Sequence, residues 1–213
     1  MPRWRPEHLV LVCGTGTGVG KTWVSCRLAE RLRRAGVRVE ARKPTQSHDP
    51  DDNSPTDAQA LAAATHEAEE AVCPASRTYP VAMAPPMAAD ALGRRPLTTA
   101  ELADALTWGP EVAVGIVETA GGVHSPLGFD GDTVDYARLV QPEWVLLVAD
   151  AGLGTINAVR SVVPGLAEWP LAVLLNRFDP TDDLHRRNRD WLAERDGLPI
   201  YTDLIDVGLL RGI

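Results

Sequence analysis

Short runs of apolar residues alternate along this chain with longer segments whose apolar residues recur at helical spacing. The runs are rich in leucine and β-branched residues and are not interrupted by polar ones, a pattern typical of strands buried on both faces of a parallel sheet. This alternation predicts an α/β fold, doubly wound, with a mainly parallel sheet and helices on both faces. The runs are Leu9–Cys13, Val37–Ala41, Val112–Val117, Val145–Ala149 and Leu171–Leu175, with a weaker one near Pro199–Leu204.

Helix signals lie between these runs. The spacing of apolar residues predicts a helix over Thr22–Ala35, with Gly36 as its stop signal. Thr98 and Glu101 have the spacing of a capping box, and Thr181 precedes two aspartates that suit the first turn of a further helix. We therefore expect helices to begin at these positions.

Two polar, proline-containing stretches, Ser47–Asp57 and Arg77–Pro86, are predicted to be surface loops. No internal repeat or linker divides the sequence, so we expect residues 1–213 to form a single domain. In such a fold, ligands bind at the carboxyl ends of the parallel strands. Candidate functional residues are therefore sought directly after each apolar run.

Composition narrows the possible function. The 213 residues include 21 Lys and Arg against 29 Asp and Glu, which gives a net charge of −8 and argues against a general nucleic-acid or anionic-membrane binder. No apolar run approaches the roughly 18 residues of a membrane helix. The three cysteines have no metal-binding spacing, so we expect reduced thiols and a cytoplasmic location.

A glycine-rich loop follows the first predicted strand and leads directly into the first predicted helix. Backbone N–H groups in such a loop bind phosphate oxygens, Lys21 can reach the β and γ phosphates, and the Thr22 hydroxyl can ligate Mg²⁺. A strict P-loop requires glycine at Thr15, so this is a variant, and neither possible register fits the Rossmann glycine pattern. The loop consists of Gly14, Thr15, Gly16, Thr17, Gly18, Val19, Gly20, Lys21 and Thr22.

Lys43 follows the second predicted strand and precedes Pro44. A lysine before a proline can be a solvated turn residue, but the end of a strand is also where this fold binds ligands. We expect the second strand to lie beside the strand of the glycine loop, which makes Lys43 a candidate second phosphate cation. Ser47 follows closely enough for its hydroxyl to contact a substrate.

Two acids are candidate ligands of Mg²⁺, which prefers oxygen donors. Glu118 follows a buried run and precedes a tight glycine turn, whereas Asp57 follows Thr56 in a predicted first helical turn. Alternatively, Glu118 is an exposed loop acid and Asp57 complements the helix dipole. Asp150 ends the next strand in the same way and is a weaker candidate.

A second glycine turn enters a helix at Gly154, Thr155 and Asn157. Its free N–H groups suit a carboxylate or another anion, although the segment could also be an ordinary turn with Thr155 as the N-cap. Asn176 ends a further strand and could bond the edge of a nucleotide base or cap the next turn.

Together these residues resemble the dethiobiotin synthetases, a family of deviant P-loop NTPases, over nearly the whole chain. The glycine loop, with its offset first glycine, is similar to the family's elongated P-loop, and Lys43 with Pro44 and Ser47 is similar to its second motif. Asp57 and the segment Glu118–Gly122 resemble its metal-holding acids and substrate turn. The remaining similarities are the turn Leu153–Asn157, which in the family binds the substrate carboxylate across a dimer interface, and Asn176, which matches the adenine-reading asparagine.

The resemblance implies a ligase that uses ATP and Mg²⁺ on a small diamine, 7,8-diaminopelargonate, and CO₂. A carbamate formed on one amine attacks the γ-phosphate, and the second amine then closes a cyclic urea. The implied catalytic residues are Lys21, Lys43 and Thr17, with Thr22, Asp57 and Glu118 at the metal. The implied substrate contacts are Ser47, Gly121 and Gly122, together with Gly154, Thr155 and Asn157 of the second copy in a homodimer.

The chain differs from the family pattern at Thr119, where glycine is usual, and in a last strand, Tyr201–Asp206, that lacks a downstream proline turn. Thr119 leaves open a paralogous ligase that phosphorylates the carbamate of a different amine. A partner-switching positioning ATPase is a further alternative, but such proteins carry an extra lysine early in the loop, and no lysine precedes Lys21 in this chain. A binding domain without activity is disfavoured because every expected phosphate and metal position is filled.

Overall fold

The structure, a computed structural model, describes residues 4–204. In this region the central sheet has six strands, all neighbouring pairs run parallel, and a separate pair, β3 and β4, forms a small sheet. The predicted doubly wound, mainly parallel architecture is confirmed. The strands are β1 (His8–Gly14), β2 (Val39–Arg42), β3 (Gln46–Ser47), β4 (Thr78–Tyr79), β5 (Val114–Glu118), β6 (Trp144–Asp150), β7 (Leu171–Asn176) and β8 (Ile200–Tyr201).

The α-helices of the described region lie mainly between these strands. None of them is long and apolar enough to cross a membrane. They are α1 (Lys21–Arg34), α2 (Asp57–Thr65), α3 (Glu69–Val72), α4 (Pro85–Ala91), α5 (Thr99–Asp104), α6 (Thr133–Val140), α7 (Thr155–Val162) and α8 (Asp183–Asp190), with 3₁₀ turns at Ala75–Arg77 and Val163–Leu166 and a π-helical turn at Trp191–Arg195.

The sheet has a hydrophobic core on each face. Val10 and Val12 of β1 pack in one core with α1 and α2. Leu9 and Leu11 of the same strand pack in the other core with α6 and α7. Because alternate side chains of β1 enter different cores, both faces must be apolar, which explains the continuous apolar run.

The prediction that the strand before Lys43 lies beside the strand of the glycine loop is wrong. The sheet order is β2-β5-β1-β6-β7-β8, so β5 lies between that strand and β1. The short β2 carries Glu40 and Arg42, which suit an edge, whereas every residue of β5 is buried. This order places Glu118, at the end of β5, between Lys43 and the glycine loop.

Several predicted boundaries also need correction. Asp182, and not Thr181, caps α8, because its carboxylate accepts from the N–H of Leu184. The predicted loops contain short elements: β3 and the start of α2 lie at the ends of Ser47–Asp57, and β4 and the start of α4 lie within Arg77–Pro86. The capping box of Thr98 and Glu101 is present at α5. The predicted end of the last strand, beyond residue 204, lies outside the described residues.

Candidate nucleotide and substrate site

The glycine loop joins β1 to α1 as a tight curl of backbone. Gly18 and Gly20 have φ angles of 77° and 93°, a left-handed conformation that favours glycine. A Cβ on Gly20 would lie 2.1 Å from Nδ2 of Asn176, so no other residue fits there without displacement. Gly20 is also the N-cap of α1, where its side-chain-free backbone leaves the helix N-terminus open to an anion.

Lys21 lies under this loop and is 7% exposed. Its Nζ donates to the carbonyl of Gly16 at 3.0 Å, which holds the side chain along the inner surface of the loop. Burial lowers the pKa of Lys21, and the nearby charge of Lys43 lowers it further, against the opposing effect of Glu118 and Asp57. Two ammonium groups that repel each other in this way favour an anionic ligand beside them.

Thr22, Asp57 and Glu118 meet at the N-terminus of α1. The Thr22 hydroxyl lies 2.6 Å from Oδ1 of Asp57 and 2.8 Å from Oε1 of Glu118. Ser25, one helical turn after Thr22, donates to the other oxygen of Glu118 at 2.6 Å. Glu118 is completely buried, so the alternative of an exposed loop acid is wrong.

Lys43 lies between the two carboxylates and is 1% exposed, so it is not a solvated turn residue. Its Nζ is 2.6 Å from Oδ2 of Asp57 and 2.7 Å from Oε1 of Glu118. Burial alone would lower the pKa of Lys43, but the two carboxylates outweigh this effect and hold the pKa above its usual value. Lys43 therefore stays protonated at neutral pH.

This donor set fits Mg²⁺. Two carboxylates and one hydroxyl provide hard oxygen ligands within hydrogen-bond distance of each other, and Mg²⁺ usually completes its shell with water and substrate phosphates. The described residues contain no cluster of three or more His, Cys, Asp or Glu side chains that would form an all-protein metal cage. The arrangement is thus typical of a shared protein–nucleotide metal site.

A cavity of about 560 Å³ opens beside this cluster. It brings together Thr17, Ser47 and Gly121 of the predicted site with both lysines. The Ser47 hydroxyl donates to the carbonyl of Met83 at 2.5 Å, so in this structure its proton is used within the loop. Some of the lining residues belong to no motif that predicted this site, among them Gln46, His48, Asp49, Met83 and Ser125.

The turn after Glu118 approaches the glycine loop closely. A Cβ on Gly122 would lie 3.2 Å from Cα of Gly16, and Gly121 has a φ angle of 69°. Ser125 closes this turn by accepting from the N–H of Gly122 at 2.9 Å. Thr119, where the resemblance leads one to expect glycine, is completely buried, and its hydroxyl has no hydrogen-bond partner within the described residues.

Asn176, at the end of β7, contacts the glycine loop. Its Nδ2 donates to the carbonyl of Val19 at 2.9 Å, and the residue lines a second cavity of about 790 Å³ together with Trp23 and Phe178. The cavity adjoins Gly20 at the N-terminus of α1. Recognition of adenine by Asn176 stays a prediction.

The second glycine turn leads into α7, with Gly154 rather than Thr155 as the N-cap. The Thr155 hydroxyl is buried and has no hydrogen-bond partner within the described residues. Leu153, just before the turn, is 92% exposed. Among the described residues that line the cavity beside Lys43, none belongs to this turn.

Comparison with solved structures agrees with the fold. The chloroplast FtsY of Physcomitrella patens superposes with a TM-score of 0.55 at 17% identity, over 93% of this chain and 58% of that one. FtsY of Thermotoga maritima gives a TM-score of 0.53 at 21% identity, over 93% of this chain and 61% of that one. The chain thus spans less than two thirds of these structures, and the likeness concerns the fold alone.

Sequence comparison identifies the family. Residues 8–201 match the AAA domain family AAA_26. The ATP-dependent dethiobiotin synthetase BioD of Anaeromyxobacter dehalogenans strain 2CP-1 is 39% identical over 180 residues, which cover 82% of this chain and 78% of that protein. The BioD of Haloferax mediterranei is 34% identical over 198 residues, which cover 92% of this chain and 83% of that protein. With the phosphate loop, the two lysines and the oxygen cluster in place, the chain belongs to the ATP-dependent dethiobiotin synthetase family.

Proposed function

We propose that this chain closes the cyclic urea of dethiobiotin from 7,8-diaminopelargonate and CO₂, with ATP and Mg²⁺. As a member of its family, the chain is an ATP-dependent ligase of biotin biosynthesis. The observation that supports the proposal most strongly is the position of Lys43. A buried, protonated lysine beside a phosphate loop, facing a cavity, suits the stabilisation of charge on a transferring phosphoryl group.

In the proposed reaction, one neutral substrate amine attacks CO₂, releases a proton to solvent and becomes a carbamate. A carbamate oxygen attacks the γ-phosphorus of ATP, and ADP leaves as a carbamic–phosphoric anhydride forms. The second amine then attacks the carbamoyl carbon and loses a proton to the departing phosphate or solvent, the C–O bond to phosphate breaks, and inorganic phosphate leaves with that oxygen. Thr22, Asp57 and Glu118 would hold Mg²⁺, which would neutralise charge on the phosphates when bound.

The chain's own residues position these groups. Lys21 and Lys43 stabilise negative charge on the γ-phosphate and the carbamate, while the loop N–H groups hold the remaining phosphate oxygens. Thr17, Ser47 and Gly121 line the cavity in which the carbamate lies. No histidine is required as a general base, because most of the catalysis comes from positioning and charge neutralisation.

The substrate carboxylate is proposed to bind at Gly154, Thr155 and Asn157 of a second copy in a homodimer. Two observations support this placement. The turn lies outside the lining of the cavity beside Lys43, and Leu153 next to it is almost fully exposed. Leu153 is thus available for contact with a second copy, although one exposed apolar residue does not by itself mark an interface.

The test is phosphate release with 7,8-diaminopelargonate, bicarbonate and MgATP. We expect the diamine to stimulate release strongly over background and an equal amount of dethiobiotin to form. Thr119, at a position where the family usually has glycine, motivates one alternative, a paralogous ligase for another amine. That alternative would be favoured if a different diamine stimulated release and 7,8-diaminopelargonate did not.

A further inference from the structure

Two consecutive residues at the end of β7 hold two consecutive carbonyls of the glycine loop. Asn176 donates to the carbonyl of Val19 at 2.9 Å, and Nη2 of Arg177 donates to the carbonyl of Gly18 at 2.8 Å. The proposed reaction gives Arg177 no role. Its contact with the loop is nevertheless as direct as that of Asn176.

The hydrogen bond from Arg177 to the Gly18 carbonyl fixes the orientation of the peptide between Gly18 and Val19. In a trans peptide the carbonyl and the following N–H point in opposite directions, so a Gly18 carbonyl held by Arg177 turns the N–H of Val19 away from β7. Glycine at this position, with its φ of 77°, leaves the peptide wide conformational freedom. Because the loop binds phosphate through such N–H groups, the orientation of this peptide bears on nucleotide affinity.

The other side of the guanidinium is held by the turn between β6 and α7. Nη1 of Arg177 lies 2.9 Å from Oδ2 of Asp150, whose Oδ1 accepts from the N–H of Gly152 at 2.9 Å. Nδ2 of the buried Asn188 donates to the carbonyl of Gly152 at 2.9 Å. Arg177 therefore connects the glycine loop to a turn that is itself well anchored.

The backbone of Arg177 is unusual as well. Its φ of 58° is left-handed, a conformation that is unfavourable for a residue with a Cβ. Glycine or asparagine would adopt it more readily, so backbone preference does not account for an arginine at this position. A forked side chain that donates to two groups at once does account for it.

We propose that Arg177 is a positioning residue for nucleotide binding, which holds the Gly18 peptide in the phosphate-binding orientation by bridging it to Asp150. The proposal rests on nucleotide binding by the loop and holds whichever amine the enzyme uses. Asp150, considered above as a weaker metal candidate, acts as the anchor of Arg177. The expected role is in nucleotide affinity, because Arg177 lines the cavity beside Asn176 and does not line the cavity beside Lys43.

The experiment measures the affinity of a non-hydrolysable ATP analogue with Mg²⁺ by calorimetry. Arg177→Gly removes the side chain and relieves the backbone strain. Because Arg177 also lines the cavity beside Asn176, a loss of affinity is assigned to the bridge only where Asp150→Asn, which leaves Arg177 in place, loses affinity as well. We expect the Kd to rise on the order of tenfold, with a melting temperature close to that of the wild type. Arg177→Lys restores the charge but places its donors on one nitrogen, without the fork that spans Asp150 and the Gly18 carbonyl, so we expect little recovery.

Asp150→Asn tests the bridge without changing Arg177. It keeps an acceptor for the N–H of Gly152 but weakens the pairing with the guanidinium of Arg177, so we expect a smaller rise in the Kd of the ATP analogue than in Arg177→Gly. The double variant, with both substitutions, should bind the analogue no more weakly than Arg177→Gly alone. Arg160→Ala is the matched control, because Arg160, on α7, is exposed to a similar extent as Arg177 and also pairs with an aspartate, Asp196, at 2.6 Å. Its Kd should match that of the wild type.

In turnover, Arg177→Gly should raise KM for ATP and leave kcat within about twofold, as expected when binding rather than the transition state is affected. A wild-type Kd in Arg177→Gly would overturn the proposal. So would an unchanged Kd in Asp150→Asn, which would show that the bridge does not matter, or losses that add fully in the double variant.

Discussion

At the level of single residues, Lys43 connects the two halves of the oxygen cluster. Its Nζ lies within 2.7 Å of carboxylates from two different elements, α2 and β5, and the side chain is buried. A lysine held in this way has one main orientation, which is what stabilisation of a developing charge requires. The charge is therefore in place before the substrate arrives.

We expect Lys43→Ala to lower kcat by about 10²–10³-fold, the usual loss when one preorganised charge-stabilising donor is removed. The Kd of the nucleotide analogue should rise only modestly, because the glycine loop is unchanged. Steady-state kinetics and calorimetry on the same preparation measure both quantities, and thermal unfolding checks that the variant is folded. A rate within a few-fold of the wild type would show that Lys43 has no such role.

A second prediction concerns the pH dependence of stability through Asp57. Burial alone would raise the pKa of Asp57, but the charge of Lys43 and hydrogen bonds from Lys43 and Thr22 hold it below its usual value. A carboxyl with a lowered folded-state pKa stabilises the fold above its unfolded pKa of about 3.9, and this stabilisation disappears as the pH falls through the folded-state pKa.

Because the Asp57 side chain is 41% exposed, water screens its pairing and the effect is small. We expect Asp57→Asn to lose no more than about 1 kcal/mol of unfolding free energy at pH 7. Urea unfolding at several pH values measures this difference, which should shrink on acidification below about pH 4. A difference that grows in acid would show that the pKa of Asp57 is not lowered on folding.

Motif spacing in the sequence identified some residues of the candidate site and missed others. Lys21 and Thr22 follow from the glycine loop alone. Ser25 was missed, although its spacing from Thr22 places both on one helical face, where Ser25 reaches Glu118. Arg177 was missed because its contact with Gly18 depends on two distant parts of the chain, which no local pattern encodes.

At the level of elements, the loop between β1 and α1 depends on glycine at some positions and not at others. Gly20 has a φ of 93° and lies against Asn176, whereas Gly16 has open space around its Cβ position. The two glycines therefore form a natural comparison within one loop. Substituting each of them shows whether the loop needs glycine for a left-handed backbone or only for a small side chain.

We expect Gly20→Ala to reduce the free energy of unfolding by at least about 1–2 kcal/mol, from left-handed strain and contact with the Asn176 amide. Gly16→Ala is the matched control and should change it by less than about 0.5 kcal/mol. Urea denaturation of both variants without nucleotide makes the comparison. Equal stability of the two variants would show that Gly20 does not adopt this strained, closely packed conformation.

Strand existence followed from the apolar runs, but strand order did not. The runs of β2 and β5 both predict strands, and neither states which neighbour it pairs with. The edge position of β2 is explained by its polar Glu40 and Arg42, a signal that was present in the sequence. The consequence is functional, because the observed order places Glu118 between Lys43 and Thr22.

At the level of the whole molecule, the net charge of −8 is compatible with nucleotide binding, since the site needs only two lysines, a helix N-terminus and a metal. The acids Asp57 and Glu118 are part of the site. Pairing between copies is the one part of the proposed site that lies beyond a single chain. In the sequence, only the resemblance of the turn Leu153–Asn157 to the family's segment implies this pairing, because an exposed leucine in isolation is ordinary.

For the proposed homodimer, we expect light scattering to give about twice the chain mass of 22.9 kDa. Leu153→Asp should shift the equilibrium towards monomer, because it places a charge in the interface. It should also lower kcat/KM for the diamine while the Kd of the nucleotide analogue stays unchanged. A monomeric wild type with full activity would contradict the shared site.

The central claim is that a carbamate oxygen is phosphorylated before the ring closes. Bicarbonate labelled with ¹⁸O, supplied with 7,8-diaminopelargonate and MgATP and sampled within the first turnovers, tests it most directly by mass spectrometry of the released phosphate. The account predicts one labelled oxygen in the phosphate for each dethiobiotin formed. Unlabelled phosphate released together with dethiobiotin, while the bicarbonate is still labelled, would contradict it.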